Sequence, residues 1–426
     1  MIETVKNAWK IPELKKKLLF VIMAMVVFRF GHSIFVPYVD TKSLATQFAA
    51  YSGTILGYFN ILSGGGLSQA SVFALSVYPY INSSIIMQLL QVAIPALERL
   101  AKDGGEEGKR KIASITRYVT IGLSLVMGYS YYVLLRSYGV LTRTDLWSGI
   151  VIVITFIAGS SFVMWLGEQI TDKGVGNGVS LILFVGIVSR GPSALMKMVS
   201  GVMAGTLAWW KALFILVLFA GIIAFIVFIT NAERRIPVQY AKRVVGRKQY
   251  GGQSTFLPMK VNMAGVMPVI FASTIITVPS TIAAFFTPTE GSFWAGFVKA
   301  FSQGSALYIL FYLLLIFGFA YFYATIQFNP IEVANNLKNN GGFIPGFRPG
   351  RPTSDFIAKV LNKVTLMGAI FLAIIAVLPL IMSNFKGLGG LAVGGTSILI
   401  MVGVALETVK AIENQMLMRH YKGFLE

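Results

Sequence analysis

The stretch Ala212-Leu213-Phe214-Ile215-Leu216-Val217-Leu218-Phe219-Ala220-Gly221-Ile222-Ile223-Ala224-Phe225-Ile226-Val227-Phe228-Ile229-Thr230 holds no ionisable side chain. A helix of about 20 such residues matches the hydrocarbon thickness of a bilayer. The pattern recurs along the chain. Spans read at roughly 18–37, 71–95, 114–135, 149–166, 179–198, 208–230, 263–285, 306–328, 361–382 and 391–409. The whole sequence agrees: 55% of its 426 residues are hydrophobic and 12% charged, with a mean hydropathy of +0.72. These values place it in the membrane class and outside ordinary soluble domains. The first span follows Lys15-Lys16-Lys17 as a signal peptide would. It is too long for a signal core and no small-residue cleavage site follows, so it reads as a retained helix.

Almost nothing ionisable lies inside the spans. All five aspartates (Asp40, Asp103, Asp145, Asp172, Asp355) fall between them, and Arg29 is the one charge clearly within. Proton and ion pumps mark their pathways with buried carboxylates, histidines or basic groups. An interior without them suits a protein that passes or holds cargo without charge chemistry. The absence of cysteine excludes disulfides, thiolate metal sites and cysteine nucleophiles, and His32 and His420 leave little for a histidine metal centre. Arg29 belongs against other helices or water, since a mid-span arginine costs about 2.5–3.5 kcal/mol on insertion scales. Its partner cannot be read from the sequence.

Lysine and arginine fix the sidedness. With both termini on one side, that side collects 27 of them and the other 8. This asymmetry puts both termini in the cytoplasm. Five spans precede the weak junction at 198–208. A second set of five therefore enters the membrane in the opposite sense, which is the arithmetic of an inverted repeat. Ten spans without internal symmetry satisfy the same count.

Leu56-Gly57-Tyr58-Phe59-Asn60-Ile61-Leu62-Ser63-Gly64-Gly65-Gly66-Leu67-Ser68 is an apolar run broken by three glycines, which disfavour a continuous helix. It reads either as a segment folded back into a cavity, where broken backbone at membrane depth is tolerated, or as an external loop. The loop 231–260 carries Arg234, Arg235, Lys242, Arg243, Arg247, Lys248 and Lys260 against Glu233. Ile236, Val238 and Tyr240 alternate there, as in a hairpin. The loop 329–360 has a turn-dense tip around Arg348. Such loops suit docking on RNA phosphates or an acidic protein face, although the positive-inside rule alone also yields basic loops.

Catalytic patterns are missing. No span holds a pair of aspartates, and neither H-E-x-x-H nor G-x-S-G occurs. Gly104-Gly105-Glu106-Glu107-Gly108-Lys109 lacks the spacing and the hydroxyl of a phosphate-binding loop. The expectation is a protein without enzymatic activity or cofactor.

Several stretches occur together and in one order: Phe59-Asn60-Ile61-Leu62-Ser63-Gly64-Gly65 with Tyr78-Pro79-Tyr80-Ile81; Met164-Trp165-Leu166-Gly167-Glu168-Gln169-Ile170-Thr171 with Gly176-Asn177-Gly178; Tyr240-Ala241-Lys242-Arg243; Leu257-Pro258-Met259-Lys260-Val261-Asn262-Met263-Ala264-Gly265; Phe328-Asn329-Pro330; and Pro345-Gly346-Phe347-Arg348-Pro349-Gly350 with Gly394-Gly395-Thr396-Ser397. On these residues the chain resembles the SecY family, pore subunits of the bacterial general protein-secretion channel. The resemblance implies an all-α polytopic membrane protein, with ten transmembrane helices in two inverted five-helix halves (1–200 and 201–426) and a short plug helix. It implies a waist of Val77, Ile81, Val179, Leu183, Ile270 and Ile400, with less isoleucine than the family's ring. The plug is then about 56–68, with Leu56, Phe59, Ile61, Leu62, Ser63, Gly64, Gly65 and Gly66. A lateral gate lies between spans 2–3 and 7–8, with Gln88 and Asn177 as polar members. Arg234, Arg235, Arg247, Lys248 and Arg348 fall on loops that meet the ribosome or the motor SecA. The implied partners are SecE, SecG, SecA, ribosomes, secretory precursors with their signal sequences, and lipid, but not DNA. The implied setting is the bacterial plasma membrane. An inverted-repeat secondary transporter is the rival from another class.

Overall fold

The computed structural model describes residues 2–50, 60, 63–206, 208–240, 243–245, 248–250, 254–285, 296, 305–383 and 395–422. Of the expected site residues, Leu56, Phe59, Ile61, Leu62 and Arg247 lie outside the described residues.

The N-terminal 200 residues begin with the amphipathic α1 (Ile2–Lys10) and with α2 (Pro12–Gly31), which starts on a proline where no helical N–H is lost. After α3 (Thr41–Ala50) the chain reaches residues 63–77, which form turns around one short 3-10 turn at Leu67–Gln69. Residues 73–79 are all buried. Helix α4 (Tyr78–Ala93) is set off by Pro79 in its first turn. It then bends by 106° at Ile94 into α5 (Pro95–Lys102). The bend has a local cause: proline pushes the preceding residue out of the helical region, and Ile94 is extended at φ −110° and ψ 111°. The long α6 (Gly105–Ser137) and α7 (Leu146–Lys173) pack side by side. The chain then enters α8 (Gly178–Val188), breaks at Ser189-Arg190 and continues as α9 (Gly191–Met203).

Small residues let these helices approach closely, which is how helices associate where lipid removes the hydrophobic drive. Buried Gly149, Gly159, Ser160 and Gly167 recur along α7. At Gly159 an added Cβ would stand 2.0 Å from the Val72 carbonyl oxygen, so the irregular segment lies directly on the helix. Polar side chains cross between helices as well: Ser83 on α4 donates to the Thr116 carbonyl on α6 at 2.7 Å.

In the remainder, α10 (Trp209–Asn231) buries only Ala212 and Ile226 among its described side chains. Helices α11 (Met267–Phe285), α12 (Ala306–Gln327), α14 (Arg351–Ser383) and α15 (Gly395–Lys422) pack around Val269, Ile276, Ile316, Leu372 and Leu399. Short α13 (Pro330–Asn339) follows α12, capped by the Asn329 carboxamide, which accepts from the Ile331 N–H at 3.1 Å.

The chain is not wholly helical, which amends the all-α expectation. Strand β1 (Glu233–Tyr240) pairs antiparallel with β4 (Ser254–Lys260) in the register Ile236 to Leu257, and with β5 (Gly342–Phe343) in the register Tyr240 to Gly342. Strands β2 (Arg243–Val245) and β3 (Lys248–Tyr250) pair at the tip. The reason is the period of two: Ile236 and Val238 are buried while Arg235, Pro237 and Gln239 are exposed. Open strand edges are tolerated because this lysine- and arginine-rich loop stands outside the hydrocarbon.

By length and composition, six helices among the described residues can cross a membrane, or seven if α4 and α5 are one bent span; Met267–Ile276 is a shorter apolar helix. The chain is a multi-pass membrane protein. Each expected span overlaps a helix. The second departs most: residues 71–77 of the expected 71–95 are a bridge and turns rather than helix, and all but Val72 are buried.

Gly159→Ala should lower the melting temperature of the detergent-solubilised protein, since overpacking costs about 1–3 kcal/mol. Gly122→Ala on α6, where a Cβ meets nothing within 4 Å, should be neutral or stabilising. Equal melting temperatures for the two variants would show that α7 and the irregular segment do not bear on each other.

Candidate functional site

The resemblance implies six aliphatic residues for a waist, and the fold gathers them in one apolar cluster. Val77 and Ile81 are one helical turn apart at the start of α4, where the Ile81 N–H donates to the Val77 carbonyl at 3.0 Å. Val179 and Leu183 stand in the same relation on α8. Ile270 comes from α11 and Ile400 from α15. Val77, Leu183 and Ile400 are buried in one apolar cluster, and Ile81, Val179 and Ile270 pack against it. Elements from both ends of the chain thus meet around side chains with no donor or acceptor. Such walls cannot replace an ion's hydration shell and they favour dewetting. Aliphatic side chains also adapt by changing rotamer, so they tolerate cargo of any sequence.

Beside this cluster, α4 meets α11 and α12. Ile85, Ala264, Phe271 and Tyr323 are buried together, with Ile81, Leu89, Phe319 and Phe322 against them. The Phe271 and Tyr323 rings meet edge to face at 4.8 Å between centroids. The Tyr323 hydroxyl donates to the Gln88 Oε1 at 2.6 Å. This polar contact crosses a seam of otherwise apolar side chains. Tyr323 was missed by sequence reasoning, although a hydroxyl within an apolar span is a signal, because it requires a partner away from lipid.

Asn177 stands at the start of α8 and not on α4, α11 or α12. Its side chain caps α8, accepting from the Val179 N–H at 3.1 Å and the Ser180 N–H at 3.3 Å. Asparagine just before a helix is a strong capping residue, and that role occupies its carboxamide oxygen.

Ser63, Gly64, Gly65 and Gly66 lie at the end of α2 remote from Lys15-Lys16-Lys17. Gly64 and Gly65 take φ +69° and +93°, which glycine adopts at no steric cost. The turn closes on itself through the Gly65 N–H to the Asn60 carbonyl at 2.8 Å and the Ser68 N–H to the Asn60 Oδ1 at 2.9 Å.

Arg234 and Arg235 are exposed on β1, and the Arg235 guanidinium meets the Glu233 carboxylate at 2.7 Å. Lys248 belongs to β3. Arg348 is exposed between Gly346 and Gly350, both at positive φ. Its carbonyl accepts from the Thr353 hydroxyl at 2.8 Å, and Phe347 stacks on Phe356 at 4.2 Å. The sheet therefore joins the loop of Arg234 and Arg235 to the loop of Arg348.

Ile270→Asn or Ile81→Asn should make the resting protein leak ions in planar bilayers, because a carboxamide wets the cluster. Conductance unchanged in both variants would remove these residues from the barrier.

The family model of SecY matches residues 71–409. The chain is 44% identical over 442 residues to the protein translocase subunit SecY of Streptomyces galbus, covering all of both chains. It is 41% identical over 441 residues to the protein translocase subunit SecY of Thermotoga maritima, covering all of this chain and 98% of that one. Among solved structures it is similar in fold to one described as a protein conducting channel, with a TM-score of 0.67, 17% identity and coverage of 94% of this chain and 92% of that one. It is also similar to Sec61 in the canine ribosome-channel complex, with a TM-score of 0.63, 16% identity and coverage of 94% and 92%.

Proposed function

The chain belongs to the SecY family, and on that premise we propose how its own residues conduct protein. It is a protein translocase subunit, a channel that passes unfolded polypeptide across the membrane. The observation that carries the residue-level reading is the gathering of Val77, Ile81, Val179, Leu183, Ile270 and Ile400 in one apolar cluster drawn from four helices. These six form the waist. At rest their side chains close on one another and exclude ions. In transit they part around the cargo, whose own groups replace the contacts the ring gives up.

Residues 1–200 and 201–426 form two inverted five-span halves around this waist, with the plug at about 56–68 on the outer side. The seam between α4 and α11–α12 is the lateral gate, through which signal sequences and membrane segments reach lipid. Gln88 and Tyr323 form its polar clasp. A buried hydrogen bond contributes about 0.5–1.5 kcal/mol net, so the clasp biases the gate towards closure without locking it. An apolar signal helix of sufficient length outcompetes it by burying its own surface.

The arginines of the exposed sheet, Arg234 and Arg235, and Arg348 on the neighbouring loop are the docking charges for a ribosome or for SecA. Arg247 and Lys248 extend that surface in sequence. SecE and SecG complete the complex in the bacterial plasma membrane, with both termini cytoplasmic. The chain itself performs no covalent chemistry and takes no cofactor. Membership of the family does not favour a secondary transporter.

The absence of native cysteine provides the test. A single cysteine at Ile270 should form a disulfide with a cysteine in a secretory precursor stalled in transit, whereas one at exposed Met367 on α14 should not. Translocation with no cross-link at 270 would put the path elsewhere. Tyr323→Phe should raise export of a precursor with a weakened signal sequence several-fold, as loss of one hydrogen bond predicts. Unchanged export would separate the clasp from gating.

A further inference from the structure

Arg29, an exposed charge in the last turn of α2 that the first expected span encloses, has two partners in the fold. Its Nη1 donates to the Ser189 hydroxyl at 3.1 Å and to the Gly64 carbonyl at 3.4 Å. The Ser189 hydroxyl in turn donates to the Gly186 carbonyl at 2.8 Å, which fixes the oxygen that aims the guanidinium. Gly64 lies against the same turn of α8: a Cβ added to it would stand 3.1 Å from the Gly186 Cα. One turn beyond Arg29 along the chain, the His32 Nε2 lies 2.6 Å from the Ser63 carbonyl and its Nδ1 lies 3.0 Å from the Phe28 carbonyl. From α6 the Tyr131 hydroxyl donates to the Leu67 carbonyl. Backbone bonds add the Val36 N–H to the Ala70 carbonyl and the Val72 N–H to the Ile34 carbonyl, each at 2.9 Å.

Three side chains, two from the end of α2 and one from α6, therefore converge on the carbonyls of residues 63–67. This suits a protein at membrane depth. A left-handed glycine turn cannot pair its own carbonyls as a helix does, and each unpaired one away from water costs free energy. The anchors share a second property: Arg29, His32, Tyr131 and Ser189 all belong to the N-terminal 200 residues. The Gln88–Tyr323 contact, by contrast, joins the two parts of the chain.

We propose that Arg29 is a positioning residue that seats the root of the plug, residues 63–67, on the N-terminal half by bridging Gly64 to Ser189. The seat is independent of the lateral gate. Separating α4 from α12 leaves every anchor intact, so sideways opening and plug release are distinct steps. Release requires Arg29 to leave Gly64. Both bonds leave the one Nη1, whose two N–H directions are fixed in the guanidinium plane, whereas an ammonium on a flexible stem holds two acceptors less rigidly. This inference rests on the reading of residues 56–68 as the plug.

The test uses the full chain assembled with its small membrane partner in liposomes, and reads resting ion conductance. Four forms are compared: the parent, Arg29→Met, a deletion of residues 56–62, and the deletion combined with Arg29→Met. Loss of hydrogen bonds to a charged donor predicts a roughly tenfold rise in the unseated population. Arg29→Met should therefore raise resting conductance by about that factor, Arg29→Lys should raise it less, and neither should add to the effect of the deletion. If the deletion raises conductance and Arg29→Met does not, the role of Arg29 is wrong and the plug reading stands. If the deletion itself changes nothing, the plug reading fails and this inference with it. If Arg29→Met raises conductance equally with and without residues 56–62, Arg29 is a scaffold residue and the seat is refuted. Should Arg29→Met fail to assemble, Ser189→Ala removes only the hydroxyl that aims the guanidinium and carries the same comparison.

Discussion

Every backbone N–H and C=O within the hydrocarbon must find a partner inside the protein, because lipid offers none. The rest of the architecture depends on this. Helices meet the requirement by themselves, which is why α6, α7 and α10 run as long unbroken rods. The stretch 63–77 does not, and it persists only where protein surrounds it. Gly159 brings α7 against the Val72 carbonyl, and Tyr131 and the His32 ring reach the Leu67 and Ser63 carbonyls. Breaking the helix at this depth leaves the outer part of the second span free to serve as something other than a membrane rod.

The parts proposed to move are held by weak forces. The proposed waist relies on aliphatic contact. The seam beside it adds aromatic edges and a polar contact between Gln88 and Tyr323. Among the described residues neither includes an ion pair, which would be costly to part in a medium of low dielectric. Among the described residues, ion pairs such as Arg235 with Glu233 and Arg117 with Glu168 stand at exposed or partly exposed sites, where their contribution is small.

Membrane class, sidedness and the approximate place of each span were legible because apolar runs of fixed length have one physical explanation. Helix ends were less legible. Helix α14 begins at Arg351 and α15 continues to Lys422, each well past its apolar run, because a helix that leaves the bilayer can continue with a polar surface. The alternation of Ile236 and Val238 announced a strand, yet its pairing with residues 342–343 depends on a contact more than a hundred positions away. Arg29 marked itself as anomalous, but its partners, Gly64 and Ser189, are separated from it by 35 and 160 positions. Asn177 carried a capping signal in its place before a helix, and the structure shows that local role.

Because β1 pairs with both β4 and β5, the two large loops on the lysine- and arginine-rich face form one mechanical body. Strand β4 ends at Lys260, only a few residues before α11, the helix that carries Ile270 and Phe271. The loop with Arg348 hangs from the other edge of the same sheet. A load on that loop is thus transmitted through the strand pairing Tyr240 to Gly342 and across the ladder to the root of α11. The sheet acts as a yoke: whatever grips either loop from outside has a lever on the helix that carries Ile270.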